Sequence, residues 1–598
     1  MDQILEDSVV VWSRELDNRL GTGDDFHLED FYVEPVSDSR YGSQVEILSS
    51  FTELHDGSVR KQDPEKREIQ LATLDLQYGW RLWLNVGCLA FGLFLSSLET
   101  TIIATSLVSI ASDLGSFNKS NWVVTSYLLT YTGFLIIFAR ISDLFGRKGT
   151  VLVSLTVFTL FSLACGVSQT MEQLIVFRAF QGMGGAGLYS MAVSVITEIT
   201  PLKYIGISSG LMGSIFAMSS LLGPNLGGAI TQHSTWRWVF YLNLPPGFVG
   251  IVMVVFFFPR NARPLQVTRT TFASMDYLGM LLYLTASIMI VFALEEGGLF
   301  YPWDGPVVIA SFVISGIGFV SFLGWEWVLS KKPWVKNSTL PLFPMHLVRQ
   351  RIISFSFLTA LLAGFPFLVT IVFLPQRFQL INGLSPVEAG VRMLPLLLVS
   401  ATGAALGGIF SKKYNVSCHV LSASLGLQVL GLGLMTTLPT ASRELPPAQY
   451  AFQVLLGLGF GLSLSCLVIV AQMEVRNDDD VGITISAITQ IRVLGGVIGV
   501  AAAQAILNAE INNSLGGVLP PEKLKALQQS ATAISSFTPE EAAITIESYG
   551  RGFQLQYKIM IGLSAAALLA SLGCLQKKAE SFEEVVNRRI RGQGVALD

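Results

Sequence analysis

Windows of about 20 predominantly apolar residues recur along this chain, centred near Ser96, Gly133, Val157, Gly184, Phe216, Val249, Ser287, Ile317, Leu361, Val399, Gln428, Gly461, Gly495 and Ser564. That recurrence leaves few folds open. In hydrocarbon a backbone must satisfy its own polar groups, which only a helix or a closed barrel does, and windows of this length are helical in length. The expected fold class is all-α and polytopic, with fourteen transmembrane helices. Composition agrees: 51% of residues are hydrophobic, 14% are charged, and the mean hydropathy is +0.54, which excludes an ordinary soluble domain. A net charge of -4 offers no basic field for nucleic acid. The cysteines sit irregularly in or beside apolar segments, and the histidines are scattered over tails and loops. Neither set suggests a disulfide framework, a metal site or a cofactor. No Walker loop, GxSxG elbow or HExxH helix occurs in a credible setting, so an enzyme is not expected and the energy source should be an ion gradient.

The polar residues 1–79 lack sustained periodicity and read as a disordered cytoplasmic tail, and the first ten residues lack the basic start and long apolar core of a signal peptide. Insertion is then directed by the first membrane helix. Basic residues favour the inner loops roughly two to one when both termini are cytoplasmic. The chain divides into a six-helix half at 80–260, two inserted helices with an inner loop at 261–348, a second six-helix half at 349–576 and a cytoplasmic tail at 577–598. QGMGGAGL (Gln181 to Leu188) in the fourth span answers LGLGFGL (Leu456 to Leu462) in the twelfth, and LLGPNLGG in the fifth answers VLGGVIGV (Val493 to Val500) in the thirteenth. The halves are therefore expected to be related by an axis along the membrane normal. Within a long outer loop at about 510–550, Thr538, Pro539 and Glu541 predict a capped helix start and Gly550 its end. A short external helix follows.

Several polar or small residues interrupt the apolar spans in ways that packing alone does not require. Glu99 lies near the centre of the first span, too deep for its short side chain to reach water. Burial of this kind makes a carboxyl group a proton carrier, unless a neighbouring helix holds it permanently neutral. Arg178, in the fourth span with Gln181 one turn on, faces the bundle or snorkels to the outer surface, since a lipid-facing arginine costs about 2.5 to 3.5 kcal/mol. Arg492 is the corresponding cation of the second half; it balances a carboxylate, binds an anionic substrate group, or snorkels to the inner surface. Asp143, Gly146, Arg147 and Lys148 place a carboxylate beside a tight basic turn between spans two and three, an inner gate or simply a topology-setting loop. Gly223, Pro224, Asn225, Gly227 and Gly228 strip one face of the fifth span and remove a backbone donor, which invites close helix approach and a kink. Trp236, Arg237 and Trp238 then open the sixth span at headgroup level, ahead of Pro245, Pro246 and Asn243, which is expected on the transport path with Glu99, Arg178, Gln181 and Arg492.

The phrase GPxxGG followed by WRWxFxxNxPxG resembles the antiporter signature of the fourteen-span drug:proton antiporters in the major facilitator superfamily. ARISDLFGRK is similar to that superfamily's GxLxDRxGRK, with Ala139, Ile141 and Leu144 departing from it, the last removing a gate charge. LIVFRAFQGMGGAG matches LxxxRxxQGxGxA, and LETTIIATSLV resembles LDxTIxxxxLP with glutamate for aspartate and Val108 for proline. The resemblance implies a proton-coupled efflux carrier of lipophilic small molecules, such as fungal secondary metabolites or drugs, working by alternating access. Its partners would be the substrate, protons and the bilayer, with no obligate protein partner, and its location the plasma membrane. The alternative is a vacuolar or uptake carrier of the same superfamily, for a basic amino acid or a siderophore.

Overall fold

The computed structural model describes residues 80–115, 119–199, 205–258, 275–298, 300–331, 341–343, 345–414, 417–475, 478–520, 522–524, 527, 534 and 537–576. The expected tails at 1–79 and 577–598 lie outside the described residues. Helices account for nearly all of the rest, as α1 (Trp80–Asp113), α2 (Ser120–Phe145), α3 (Arg147–Val167), α4 (Met171–Ile199), α5 (Ile205–His233), the short α6 (Arg237–Tyr241), α7 (Leu244–Phe257), α8 (Tyr277–Glu296), α9 (Pro306–Lys331) and the single turn α10 (Met345–Val348). There follow α11 (Arg351–Leu380), the short α12 (Pro386–Arg392), α13 (Leu394–Tyr414), α14 (Ser417–Met435), α15 (Ala448–Glu474), α16 (Asp478–Leu515) and α17 (Pro539–Leu572). Among the described residues, ten helices are long and apolar enough to cross a membrane, or eleven when α12 and the start of α13, bent by 40°, count as one span. Helices α2, α4 and α5 are not in that set; α2 and α4 carry buried polar side chains described below.

The glycine repeat has a packing counterpart. In the first half α4 wedges between α2 and α3: a side chain at Gly184 would strike the Phe158 backbone, and one at Gly182 the Tyr127 carbonyl. In the second half α15 wedges in the same manner between α13 and α14, with Gly457 and Gly461 against Leu396 and Ser400 and Gly459 against Ser424. The other pair matches too. Gly223 and Gly227 of α5 close on α1, while Gly495 and Gly499 of α16 close on Leu361 and Phe365 of α11. Small residues let backbones approach where hydrophobic burial gives no advantage over lipid. The halves meet along α2 with α16 and along α5 with α12 and α13. The inserted α8 and α9 pair with each other, and α8 docks on α2 and α16, its Glu295 and Glu296 accepting hydrogen bonds from Thr125 (3.0 Å) and Trp122 (2.8 Å) of α2.

The loop before α17 corrects one expectation. The capping box at Thr538 and Glu541 is present, but the helix does not end at Gly550; it continues to Leu572 as one element. Gly550 serves close approach instead, since a side chain there would meet the Thr440 backbone. Thr538→Ala is expected to cost about 1 kcal/mol, read as a small drop in the thermal midpoint of the detergent-solubilised protein. Pro224 likewise lies inside α5 without ending it. Trp236 is buried, its indole N–H donating to Asp113 at 2.8 Å. That bond, ahead of the Arg237 guanidinium, holds the Asp113 carboxyl below its ordinary range.

Candidate functional site

Glu99 sits in the interior of α1, and both it and Arg178 of α4 are 1% exposed. Arg178 Nη1 donates to Glu99 Oε1 at 2.5 Å and to Gln181 Oε1 at 2.8 Å, while its Nε donates to the Val123 carbonyl of α2 at 3.0 Å. The face of the guanidinium lies over the Tyr127 ring, 4.2 Å from its centroid. The other carboxylate oxygen of Glu99 accepts from Asn243 Nδ2 at 2.7 Å. Ser162 of α3 closes the circle, accepting from Gln181 Nε2 at 2.6 Å and from Asn243 Nδ2 at 3.4 Å. One carboxylate is thus enclosed by groups from three helices, α2, α3 and α4, and from the break between α6 and α7.

Local sequence explains how Asn243 comes to be there. The short helix α6 ends at Tyr241, and α7 restarts with Pro245 and Pro246 in its first turn, where a missing N–H costs nothing. Asn243 is the residue before α7 and makes no side-chain cap bond to it. Its amide is therefore available to Glu99. The charged pair is not there for stability: each buried ion carries a desolvation cost of several kcal/mol, and an apolar replacement of both is commonly neutral or better. Removing one partner is another matter. Asn243→Ala leaves Glu99 Oε2 without its strongest donor, a loss of about 1 to 3 kcal/mol; transport measured in vesicles is expected to fall about tenfold or more, with the protein still present in the membrane.

The glycines of the GPxxGG phrase in α5 line two seams beside this site. Gly223 and Gly227 lie against Thr101, Ile102 and Thr105 of α1, just beyond Glu99 on the same helix. The Pro224 carbonyl accepts from Thr105 Oγ1 at 2.9 Å, and the Gly227 carbonyl from Ser106 Oγ at 3.2 Å. Gly228 instead faces the second half: a side chain there would come within 2.6 Å of the Pro386 carbonyl of α12. Gly390 of α12 answers it, since a side chain there would come within 2.8 Å of the Pro224 carbonyl. Asn225 is half-buried on α5.

The expected inner gate is described in part. Gly146 joins α2 to α3 at φ 87°, the left-handed region that favours glycine, and Arg147 donates to Ser142. Lys148 donates to the Val255 and Phe258 carbonyls, both at 2.9 Å, and so closes the C-terminal end of α7. The side chain of Asp143 lies outside the described residues. Arg492 does not join Glu99; it is buried on α16 with its guanidinium 4.7 Å from the Phe367 ring centroid. Of the residues that sequence reasoning singled out for the transport path, the structure brings Glu99, Arg178, Gln181 and Asn243 together and leaves Arg492 apart. Tyr127 and Ser162 were not foreseen.

Membrane-crossing helices in two glycine-wedged halves, with an ion pair closed inside one of them, define a multi-pass membrane carrier rather than an enzyme. The family profile described as Major Facilitator Superfamily matches residues 89–500, and the chain belongs to that superfamily. Similar proteins include the "MFS-type transporter FPY5" of Fusarium mangiferae, 41% identical over 82% of this chain and 83% of that one. The "Efflux pump bfoC" of Aspergillus brasiliensis is 30% identical over 88% and 92% of the two chains. "Multidrug resistance protein 3" of Bacillus subtilis is 31% identical over 63% of this chain and 70% of its own. Among solved structures, an inward-facing bacterial homolog of the human lysosomal transporter Spinster superposes with a TM-score of 0.54 at 15% identity, covering 83% of this chain and 98% of the other. That likeness is one of fold.

Proposed function

We propose that this chain is a proton-coupled exporter of a lipophilic small molecule, a secondary metabolite or drug, cycling by alternating access with fourteen spans and both termini in the cytoplasm. The observation that carries the reading is the enclosure of Glu99, whose two oxygens are held by Arg178 and Asn243 in a site shut off from water. A proton arriving on Glu99 removes the charge that Arg178 is bonded to. Arg178 keeps Gln181, the Val123 carbonyl and the Tyr127 ring, so it remains satisfied while its hold on α1 weakens. Helix α1 also carries the hydroxyls that bond α5, and α5 meets the second half at Gly228. Protonation is thereby linked through packed elements to the contact between halves, the arrangement that alternating access requires.

Relatives named as efflux pumps support the outward direction. The test is accumulation of a lipophilic fluorescent compound in cells expressing a tagged copy, with and without a protonophore. Lowered accumulation that the protonophore reverses, with the tag at the cell surface, is the expected result. A tag confined to the vacuolar membrane with raised accumulation sinks this reading in favour of a vacuolar carrier.

A further inference from the structure

Among the described residues, Arg492 is the one buried cation for which the protein supplies neither a carboxylate nor a hydrogen-bond acceptor. Arg178 has Glu99, and Arg377 donates to the Pro439 carbonyl at 2.9 Å. Arg492 is 9% exposed, and among the described residues no salt bridge or hydrogen bond takes any of its donors. Of the helices in its own half, α11, α13 and α14 contain no Asp or Glu, α15 has only Glu474 at its last position, and the carboxylates of α12, α16 and α17 make no salt bridge with it among the described residues. The apolar part of α16 starts at Thr484, which places Arg492 about 12 Å along it at 1.5 Å per residue, with its side chain buried in the bundle.

What surrounds it is aromatic and mildly polar, drawn from both halves. Phe367 of α11 lies under the guanidinium and itself meets Phe460 of α15 edge-on, with centroids 5.4 Å apart. From the first half, the phenols of Tyr131 and Tyr189 lie within electrostatic reach, their rings 6.1 Å apart. Tyr189 shares a 3.3 Å hydrogen bond with Thr489, one turn before Arg492. A buried guanidinium with free donors and no counter-ion is a high-energy arrangement unless an anion completes it. Its planar fork suits a pair of oxygens, and flat apolar walls suit an apolar body.

We infer that Arg492 is the anion-recognition point of the transport path, and that the substrate is a lipophilic organic acid whose carboxylate binds this guanidinium while its apolar part lies against Phe367, Phe460, Tyr131 and Tyr189. The inference rests on the exporter reading and narrows it: lipophilic cations are repelled at this point. Because the surrounding residues come from both halves, the acid is bound where the halves move apart, and its release is tied to that movement.

The experiment compares 1-pyrenebutyrate with 1-pyrenebutanamide, which differ in charge and little else, by fluorescence titration of the purified full-length protein. The wild-type protein is expected to bind the acid about tenfold more tightly than the amide, the scale of a charge-assisted bond. In Arg492→Gln that ratio falls towards one, and in Arg492→Lys part of it is kept, with size-exclusion profiles checking that both variants fold. Equal affinity of the wild-type protein for the two probes, failure to bind the acid, or an undiminished ratio in Arg492→Gln overturns the inference. Uptake of both probes into proteoliposomes under a pH step is read alongside. If the acid is preferred in binding but neither probe moves with the gradient, the proton-driven exporter reading fails while the anion site stands.

Discussion

Glu99→Gln is expected to reduce gradient-driven transport to background while the protein still reaches the membrane. The substitution keeps the shape of the side chain and removes both its charge and its capacity to carry a proton. It also leaves Arg178 charged and without a counter-ion in a site that is 1% exposed, a penalty of about 3 to 5 kcal/mol for breaking a buried pair. The amide at position 99 presents a donor as well as an acceptor, so one of the two bonds from Arg178 and Asn243 is lost unless a side chain turns. Lower stability alone would mimic a loss of transport, and the double variant separates the two. Glu99→Gln with Arg178→Gln removes the unpaired charge and is expected to recover most of the thermal midpoint, yet still to transport nothing against a pH step. Recovery of transport by the double variant would mean that the pair only holds the fold.

Gly228→Val is expected to shift the conformational equilibrium rather than to unfold the protein. Its contact is with the Pro386 carbonyl and Val387 of α12, across the seam between halves, and Gly390 makes the reciprocal approach to Pro224. Overpacking of a close contact costs about 1 to 3 kcal/mol. Here the cost falls only on conformations in which α5 and α12 touch, so it moves their population about 5- to 150-fold. Cross-linking of cysteines introduced on α5 and α12 should drop accordingly, and transport with it. Gly223→Val makes the contrasting case, since Gly223 faces Thr101 and Ile102 inside the first half. That variant should lower the thermal midpoint in every conformation. Equal effects of the two on stability, with unchanged cross-linking, would deny the seam a role in the cycle.

The helices themselves were legible because apolar windows of bilayer length leave little else to form, and each window centre falls within a helix of the structure. The polar members of the site could be read singly for the same reason: Glu99, Arg178 and Asn243 are costly in an apolar run and therefore conspicuous. Their mutual contacts were not legible, because residues 79 and 144 positions apart meet only through tertiary packing. Ser162 escaped notice because a hydroxyl in a membrane helix commonly bonds its own backbone, and Tyr127 because an aromatic ring in an apolar run reads as ordinary packing. Gly550 misled for a physical reason. Glycine ends helices in water by adopting a left-handed conformation, but in a membrane bundle it as often admits a neighbouring backbone, here that of Thr440.

The Glu99–Arg178 pair has an electrical consequence. With both groups ionised the site is neutral, and with a proton on Glu99 it carries one positive charge. Each elementary charge carried across the full membrane potential exchanges about 2.3 kcal/mol per 100 mV. In the proposed proton-coupled cycle, reorientation of the proton-loaded carrier is then the voltage-sensitive step, helped by an interior-negative potential when the proton moves inward. The return of the deprotonated form is electrically silent at this site. An applied voltage should therefore change the rate of the cycle even with no pH difference across the membrane.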